Sequence, residues 1–206
     1  MEYKYYIGID EVGRGPIAGP VTVCAMLSFA GRSLEMGEGI RDSKKLTENG
    51  REKWFKKIKE ARTNKILDFA IFSVGSKTID KIGIVPSLKL CIKKCLEKLN
   101  SPADETYIIL DGSLKAPANY KYQETIIRGD EKEPLIAMAS IAAKVSRDWY
   151  MSNLPEKYNM YGLEKHKGYG TKAHYQAIKV HGISDMHRRT FLKSRSDSSD
   201  RGSSIR

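Results

Sequence analysis

The chain has 206 residues, 40% hydrophobic and 30% charged, and its 36 Lys and Arg outnumber 25 Asp and Glu to give a net charge of +11. One sizeable core and one domain are expected at this length. No apolar run approaches the roughly 20 residues that cross a membrane, and the N-terminus lacks the order of a signal peptide.

Three cysteines, Cys24, Cys91 and Cys95, are an odd number that argues against a disulfide framework, so a cytoplasmic protein is expected. The positive charge favours a polyanionic partner through counterion release. Much of it is local, with ten Lys and Arg against four Asp and Glu between Arg41 and Lys65.

In chain order, Tyr3 to Val12 alternates loosely and ends in the acid pair Asp10-Glu11, which predicts a central strand. Pro20 to Phe29 predicts a second strand, joined to the first by a Gly/Pro-rich turn as an antiparallel hairpin. Arg41 to Leu46 reads as a loop. Thr47 can cap a helix running to about Arg62, with Trp54, Phe55, Ile58 and Ala61 on one face. A third strand is expected over Lys65–Val74, then helices over Ser76–Lys81 and Val85–Leu99, with Pro86 in the first turn of the latter.

Thr106 to Leu110 reads as a strand buried on both faces, followed by Asp111 and Gly112. A short strand near Glu124–Arg128, a long helix over Pro134–Met151, a Tyr/His/Gly-rich loop and a last helix over Lys172–His181 complete the pattern. The residues from about 194 read as a disordered basic tail, leaving 1–193 as the domain. Strand and helix alternation after an early meander predicts an α/β fold, a mixed central sheet with helices on both faces.

Two strands end alike, in Ile-Asp10 and Leu-Asp111. As parallel neighbours they would present both aspartates at one carboxyl-end edge, where α/β active sites form. Regular pleating sends Glu11 to the opposite face from Asp10, so Glu11 joins the cluster only if the strand breaks there, which Gly13 allows. On the long helix Ser140, Lys144 and Asp148 are four apart and share a face, while Ile141, Val145 and Trp149 form another stripe. An all-oxygen cluster of Asp10, Glu11, Asp111 and Asp148 suits Mg²⁺ or Mn²⁺ rather than zinc, and two such ions can drive an in-line displacement at phosphorus. The alternative is a set of loop-end acids paired with lysines. Four histidines (His166, His174, His181, His187) match no common zinc spacing and read as isolated surface or structural residues.

Six blocks in order resemble one family, ribonuclease HII, from Ile7 to about Phe191. They are Gly8-Ile-Asp-Glu-Val-Gly-Arg-Gly-Pro-Ile-Ala-Gly-Pro-Val21, Asp42-Ser-Lys-Lys-Leu46, Leu110-Asp-Gly112, Ala139-Ser-Ile-Ala-Ala-Lys-Val-Ser-Arg-Asp148, His166-Lys-Gly-Tyr-Gly-Thr171 and His187-Arg-Arg-Thr-Phe191. The resemblance implies a ribonuclease H-like fold, hydrolysis of the RNA strand of RNA–DNA hybrids, and cleavage 5′ to single ribonucleotides in duplex DNA, with 5′-phosphate and 3′-hydroxyl products. It implies a monomer and no membrane partner. Asp10, Glu11, Asp111 and Asp148 fall on the family's four metal-binding acids. Gly13, Arg14 and Gly15 fall on its ribose-reading loop, Tyr169 on the tyrosine that stacks on the sugar after the junction, and Ser43 and Lys44 on a segment that approaches phosphate. Another nuclease or strand-transfer enzyme of the same fold would share the metals but not the need for a ribose, whereas a non-catalytic nucleic-acid-binding module would share the charge, give no Mg²⁺-dependent product and leave the four acids coincidental.

Overall fold

The computed structural model describes residues 3–29, 40, 46–112 and 114–192. Ser43, Lys44, the 41–45 loop and the tail from 194 therefore lie outside the described residues. Five strands form one sheet in the order β3-β2-β1-β4-β5. β1 (Tyr5–Val12) pairs antiparallel with β2 (Val21–Phe29), which pairs antiparallel with β3 (Leu67–Val74). On its other side β1 runs parallel to β4 (Thr106–Asp111), and β4 runs parallel to β5 (Gln123–Ile126). The hairpin and the parallel β1–β4 pairing are as the sequence predicts.

Between β2 and β3 lies α1 (Glu48–Thr63); α2 (Ser76–Ile82) and α3 (Ile84–Leu99) follow β3. After β5 come the short α4 (Gly129–Lys132) and the long α5 (Pro134–Ser152). A 3₁₀ turn (Glu156–Tyr161), α6 (Leu163–His166) and α7 (Lys172–His181) occupy the C-terminal region. The fifth strand stops at Ile126 rather than Arg128, because Arg128 takes a left-handed conformation (φ 57°) that ends the extended run and caps α4. The Tyr/His/Gly-rich segment expected to be a loop contains two short helical turns whose junctions, Gly162 and Lys167, are left-handed.

Alternation along β1 sends Ile7 and Ile9 into the core beneath α3, and Tyr6 and Val12 towards the core beneath α5 and α1. Helices thus cover both faces. Gly8 faces α5, and a Cβ there would meet the Leu135 carbonyl carbon at 2.5 Å and the Ile136 nitrogen at 2.7 Å. That close approach seats α5 against the central strand and fixes where its polar stripe emerges. Cys24, Cys91 and Cys95 are all buried and unbridged. Among the described residues no helix is long and apolar enough to cross a membrane.

Thr47 caps α1 as expected, its Oγ1 accepting from the Gly50 N–H at 3.1 Å. Thr47→Ala is expected to lower stability by about 1 kcal/mol, read as a fall in denaturation midpoint at unchanged slope; an unchanged midpoint contradicts the cap. Ile58 and Ala61 of α1 face the core, while Lys53, Lys56, Lys57 and Lys59 are exposed. The local positive charge therefore lies on a solvent face.

Candidate active site

The register Ile9↔Leu110 brings Asp10 and Asp111 to adjacent positions at the carboxyl ends of two parallel strands. They line a cleft of about 340 Å³ with Glu11, Val12, Arg51, Ser140, Ile141, Lys144 and Tyr169. Glu11 reaches it without the strand break that pleating demands. β1 continues to Val12, paired with Thr22, but its parallel pairing with β4 ends at Ile9. Glu11 is past the last β4 partner, so its side chain can swing over the open sheet edge.

Asp10 is almost fully buried, and its carboxylate accepts from the Glu11 N–H at 2.7 Å. Burial pushes its pKa up to about 8; the Ser140 hydroxyl pulls it back, and the Glu11 and Asp111 carboxylates add to the rise. Burial also raises Glu11, opposed by Arg14, whose Nη1 lies 3.4 Å from Oε1. Asp111 Oδ1 accepts from the Gly129 N–H at 2.7 Å.

Asp148 lies in a neighbouring depression with Glu48, Arg51, Glu52 and Trp149. It is linked to the cleft through Lys144, whose Nζ is 2.9 Å from each of its oxygens. The polar stripe on α5 thus has its reason: Ser140 and Lys144 face the acids and Asp148 pairs with Lys144. The other stripe turns outward at its end, with Trp149 68% exposed. Among the described residues no group of three or more His, Cys, Asp or Glu is arranged to hold a metal ion. Each acid instead has its own protein donor: the Glu11 amide for Asp10, Arg14 for Glu11, the Gly129 amide for Asp111 and Lys144 for Asp148. The donor chemistry nevertheless fits a hard divalent cation, because the cleft gathers oxygen ligands around the buried Asp10 carboxylate, which has no ion pair among the described residues.

The loop after β1 closes one side of the cleft. Gly13 has φ 85°, and the exposed Gly15 leaves a gap in which a built Cβ would stand 4.0 Å from Tyr169 Cε1. Tyr169 is 46% exposed, and the Gly168 carbonyl beside it accepts from Ile17 and Ala18 at 2.9 and 3.2 Å. Arg14, through Glu11, and Gly15, through Tyr169, therefore border the acid cleft, while the buried Gly13 packs on Arg147 behind them.

Two features here escape the sequence reading. Arg147 and Arg188 are both essentially buried. Arg188 donates to the carbonyls of Gly13 (2.6 Å), Arg14 (3.1 Å) and Gly19 (3.0 Å), and Arg147 donates to Pro20 (2.8 Å) and Ala18 (3.4 Å). Burial, then the neighbouring Arg147 charge, lowers Arg188 to about 9, so it stays cationic at neutral pH. Second, three histidines are gathered rather than isolated. His166 stacks on His174 with centroids 4.3 Å apart, and His174 Nε2 lies 3.1 Å from His187 Nε2. The Ser184 N–H donates to His187 Nδ1 at 2.9 Å, which puts the His187 proton on Nε2. His187 then donates to His174, and His174 Nδ1–H donates to the Tyr169 carbonyl at 2.9 Å.

Burial lowers His174 to about 4 and lowers His187 as well. A histidine held neutral in the folded state binds fewer protons than its unfolded counterpart, so this contribution to stability is full above about 6.5 and is lost as pH falls towards 4. An NMR titration is expected to find the His174 ring neutral down to about pH 4; a midpoint near 6.5 contradicts the relay.

The family model for ribonuclease HII matches residues 7–194. The chain belongs to the ribonuclease HII family. It is 43% identical over 192 residues to the ribonuclease HII of Caldicellulosiruptor bescii, covering 93% of this chain and 88% of that one. Among solved structures, the ribonuclease H2 of Pyrococcus horikoshii superposes with a TM-score of 0.70 at 27% identity, over 97% of this chain and 99% of the other. The ribonuclease HII in a PCNA complex from Archaeoglobus fulgidus gives 0.71 at 25% identity, over 89% and 93%. Family membership makes the chain a nuclease of the ribonuclease H class on a ribonuclease H-like fold.

Proposed function

We propose that this ribonuclease HII family member cleaves the RNA strand of RNA–DNA hybrids and cuts 5′ to single ribonucleotides embedded in duplex DNA. The observation that carries the reading is that the loop after β1 borders the acid cleft, Arg14 reaching Glu11 and Gly15 facing Tyr169, both of which line it. A site that tests for a 2′-hydroxyl next to the reacting phosphate needs that adjacency.

Asp10, Glu11 and Asp111, with Asp148 from the neighbouring depression beyond Lys144, are the residues that would hold Mg²⁺ or Mn²⁺. When bound, such ions supply an activated water and stabilise the departing 3′ oxygen in an in-line displacement, which leaves 5′-phosphate and 3′-hydroxyl ends. The chain's own groups bind and orient. Ser140 lines the cleft beside Asp10, where its hydroxyl favours the charged carboxylate. Lys144 neutralises Asp148 until a cation competes for it. The loop amides and Arg14 offer donors to the ribose and the adjoining phosphates, and the exposed ring of Tyr169 offers a face to the neighbouring sugar. The lysines of α1 attract the rest of the duplex through its phosphates, and Ser43 and Lys44 belong to this phosphate-contacting set. We infer a monomer in the cytoplasm with 1–193 as the catalytic domain and the basic residues 194–206 as an appendage.

A matched set of labelled duplexes (RNA–DNA, RNA–RNA and DNA–DNA) tests the substrate class. Divalent-ion-dependent cutting of the RNA strand in the hybrid alone is expected; cutting of the DNA duplex at a similar rate favours a general nuclease of this fold.

A further inference from the structure

Two consecutive residues, His187 and Arg188, touch both elements at the rim of the cleft, and neither points into it. Their backbone is threaded through the loop: Ala18 and His187 form an antiparallel bridge, the Arg188 N–H donates to the Ile17 carbonyl at 2.8 Å, and the Gly19 N–H donates to Met186 at 2.8 Å. Their side chains then diverge. Arg188 takes the carbonyls of Gly13 and Arg14, and His187 reaches the Tyr169 carbonyl through His174.

The peptide plane gives this contact a consequence. No peptide bond in the described chain is cis. In a trans peptide the carbonyl of one residue and the N–H of the next point in opposite directions. With the Gly13 and Arg14 carbonyls turned inward onto the Arg188 guanidinium, the Arg14 and Gly15 N–H groups must turn outward. Both residues are exposed, and neither amide has an acceptor among the described residues. Burying a guanidinium is costly unless its donors are used. Here the compensation comes from backbone carbonyls, three to Arg188 and two to Arg147, rather than from a carboxylate. A carboxylate would have cancelled the charge beneath the loop; carbonyls leave it positive, which suits an anionic ligand above.

We propose that Arg188 and His187 are positioning residues for substrate selection. Arg188 presets the Arg14 and Gly15 amides as a pair of donors for the ribose and its phosphate, and His187 sets the height of Tyr169 across the gap. The proposal rests on the ribonucleotide-cleaving reading and deepens it by naming what orients the selecting groups.

The test measures Kd by fluorescence anisotropy in chelator for a duplex with one ribonucleotide and for the same duplex in all DNA. The quantity read is the ratio of the two constants. The wild-type ratio is expected to be well above one. Arg188→Lys keeps the charge but cannot span three carbonyls, and is expected to lower the ratio at least about fivefold. His187→Phe keeps the ring volume without its nitrogens and is expected to lower the ratio about two- to threefold. General loss of stability would weaken both duplexes together and leave the ratio unchanged. If Arg188→Lys does not fold, wild-type amide resonances decide: those of Arg14 and Gly15 are expected to shift on adding the ribonucleotide duplex and not the DNA duplex, and equal shifts overturn the proposal. A wild-type ratio of about one overturns the substrate reading, and this inference with it. A high wild-type ratio that persists in folded Arg188→Lys overturns the inference alone.

Discussion

Replacing Asp10 with Asn is expected to reduce cleavage at least about a thousandfold, roughly 4 kcal/mol of transition-state stabilisation, while making the ion-free protein more stable. The two effects have one cause. Asp10 sits at the end of β1 in a place that does not hydrate it, beside Glu11 and Asp111, and its pKa rises to about 8. A carboxyl whose folded value is raised contributes stability at low pH that is lost as pH rises from its unfolded value near 3.8 towards 8. Asn has the same shape and no proton to lose, so it lacks that loss. In chelator at pH 7 the variant should unfold later than wild type, by at most about 4 kcal/mol, with the gap widening up to about pH 8. Adding Mg²⁺ or Mn²⁺ should raise the wild-type midpoint more than the variant's, because only a group that binds the ion in the folded state gains by mass action. A variant that cleaves normally, or one that is less stable at every pH, contradicts this account of Asp10.

The second large effect separates two glycines two residues apart. At Gly13 the backbone has φ 85°, and an added Cβ would collide with Arg147 Nε and stand 2.7 Å from the Pro20 carbonyl oxygen. Both neighbours are fixed, one as a buried guanidinium and the other as its acceptor. Gly13→Ala is therefore expected to cost about 3 kcal/mol or more, seen as a fall in thermal midpoint along with lost activity. At Gly15 φ is not in the left-handed region and the nearest atom to an added Cβ is Tyr169 Cε1 at 4.0 Å. Gly15→Ala should fold with an unchanged midpoint, yet narrow the gap to Tyr169 and depress cleavage of ribonucleotide substrates about tenfold or more. Equal destabilisation by the two substitutions would contradict the assignment of packing to Gly13 and access to Gly15.

Most of the sheet was legible because its strands carry strong local signals. Ile7-Gly8-Ile9-Asp10 and Ile108-Ile109-Leu110-Asp111 end the same way, and the parallel register Ile9↔Leu110 brings the two aspartates together as that likeness predicts. Glu11 reached the predicted cleft by a different route, an open edge rather than a broken strand, since pleating alone does not reveal where a neighbour's pairing stops. The histidine relay was not legible. His174 lies in the first turn of α7 and His187 thirteen residues on, past the end of that helix, and no residue spacing encodes contact between a helix and the segment that follows it. Arg188 stood only within the His187–Phe191 block, with no role attached, because its carbonyl partners Gly13, Arg14 and Gly19 lie far away in the chain. Arg147 did leave a signal: Ala139, Ala143, Arg147 and Met151 lie four apart on a buried face of α5, so the arginine stands where an apolar residue is expected. A charge in an apolar stripe marks a buried partner, here the carbonyls of Ala18 and Pro20.

The same comparison separates the two parts of the site. The acids need only lie near one another: Asp10, Glu11 and Asp111 line one cleft, and Asp148 borders it through Lys144. Selection needs oriented amides, which depend on the loop 13–20 being pinned by residues more than a hundred positions away. The most direct measurement of the whole account is the cleavage of a DNA duplex carrying one ribonucleotide, with both product ends mapped, beside the identical all-DNA duplex. A single cut 5′ to the ribonucleotide, dependent on Mg²⁺ or Mn²⁺, leaving a 3′-hydroxyl and a 5′-phosphate, with the all-DNA duplex intact, is the predicted result. Comparable cutting of both duplexes, or a cut insensitive to removal of the divalent ion, would contradict it.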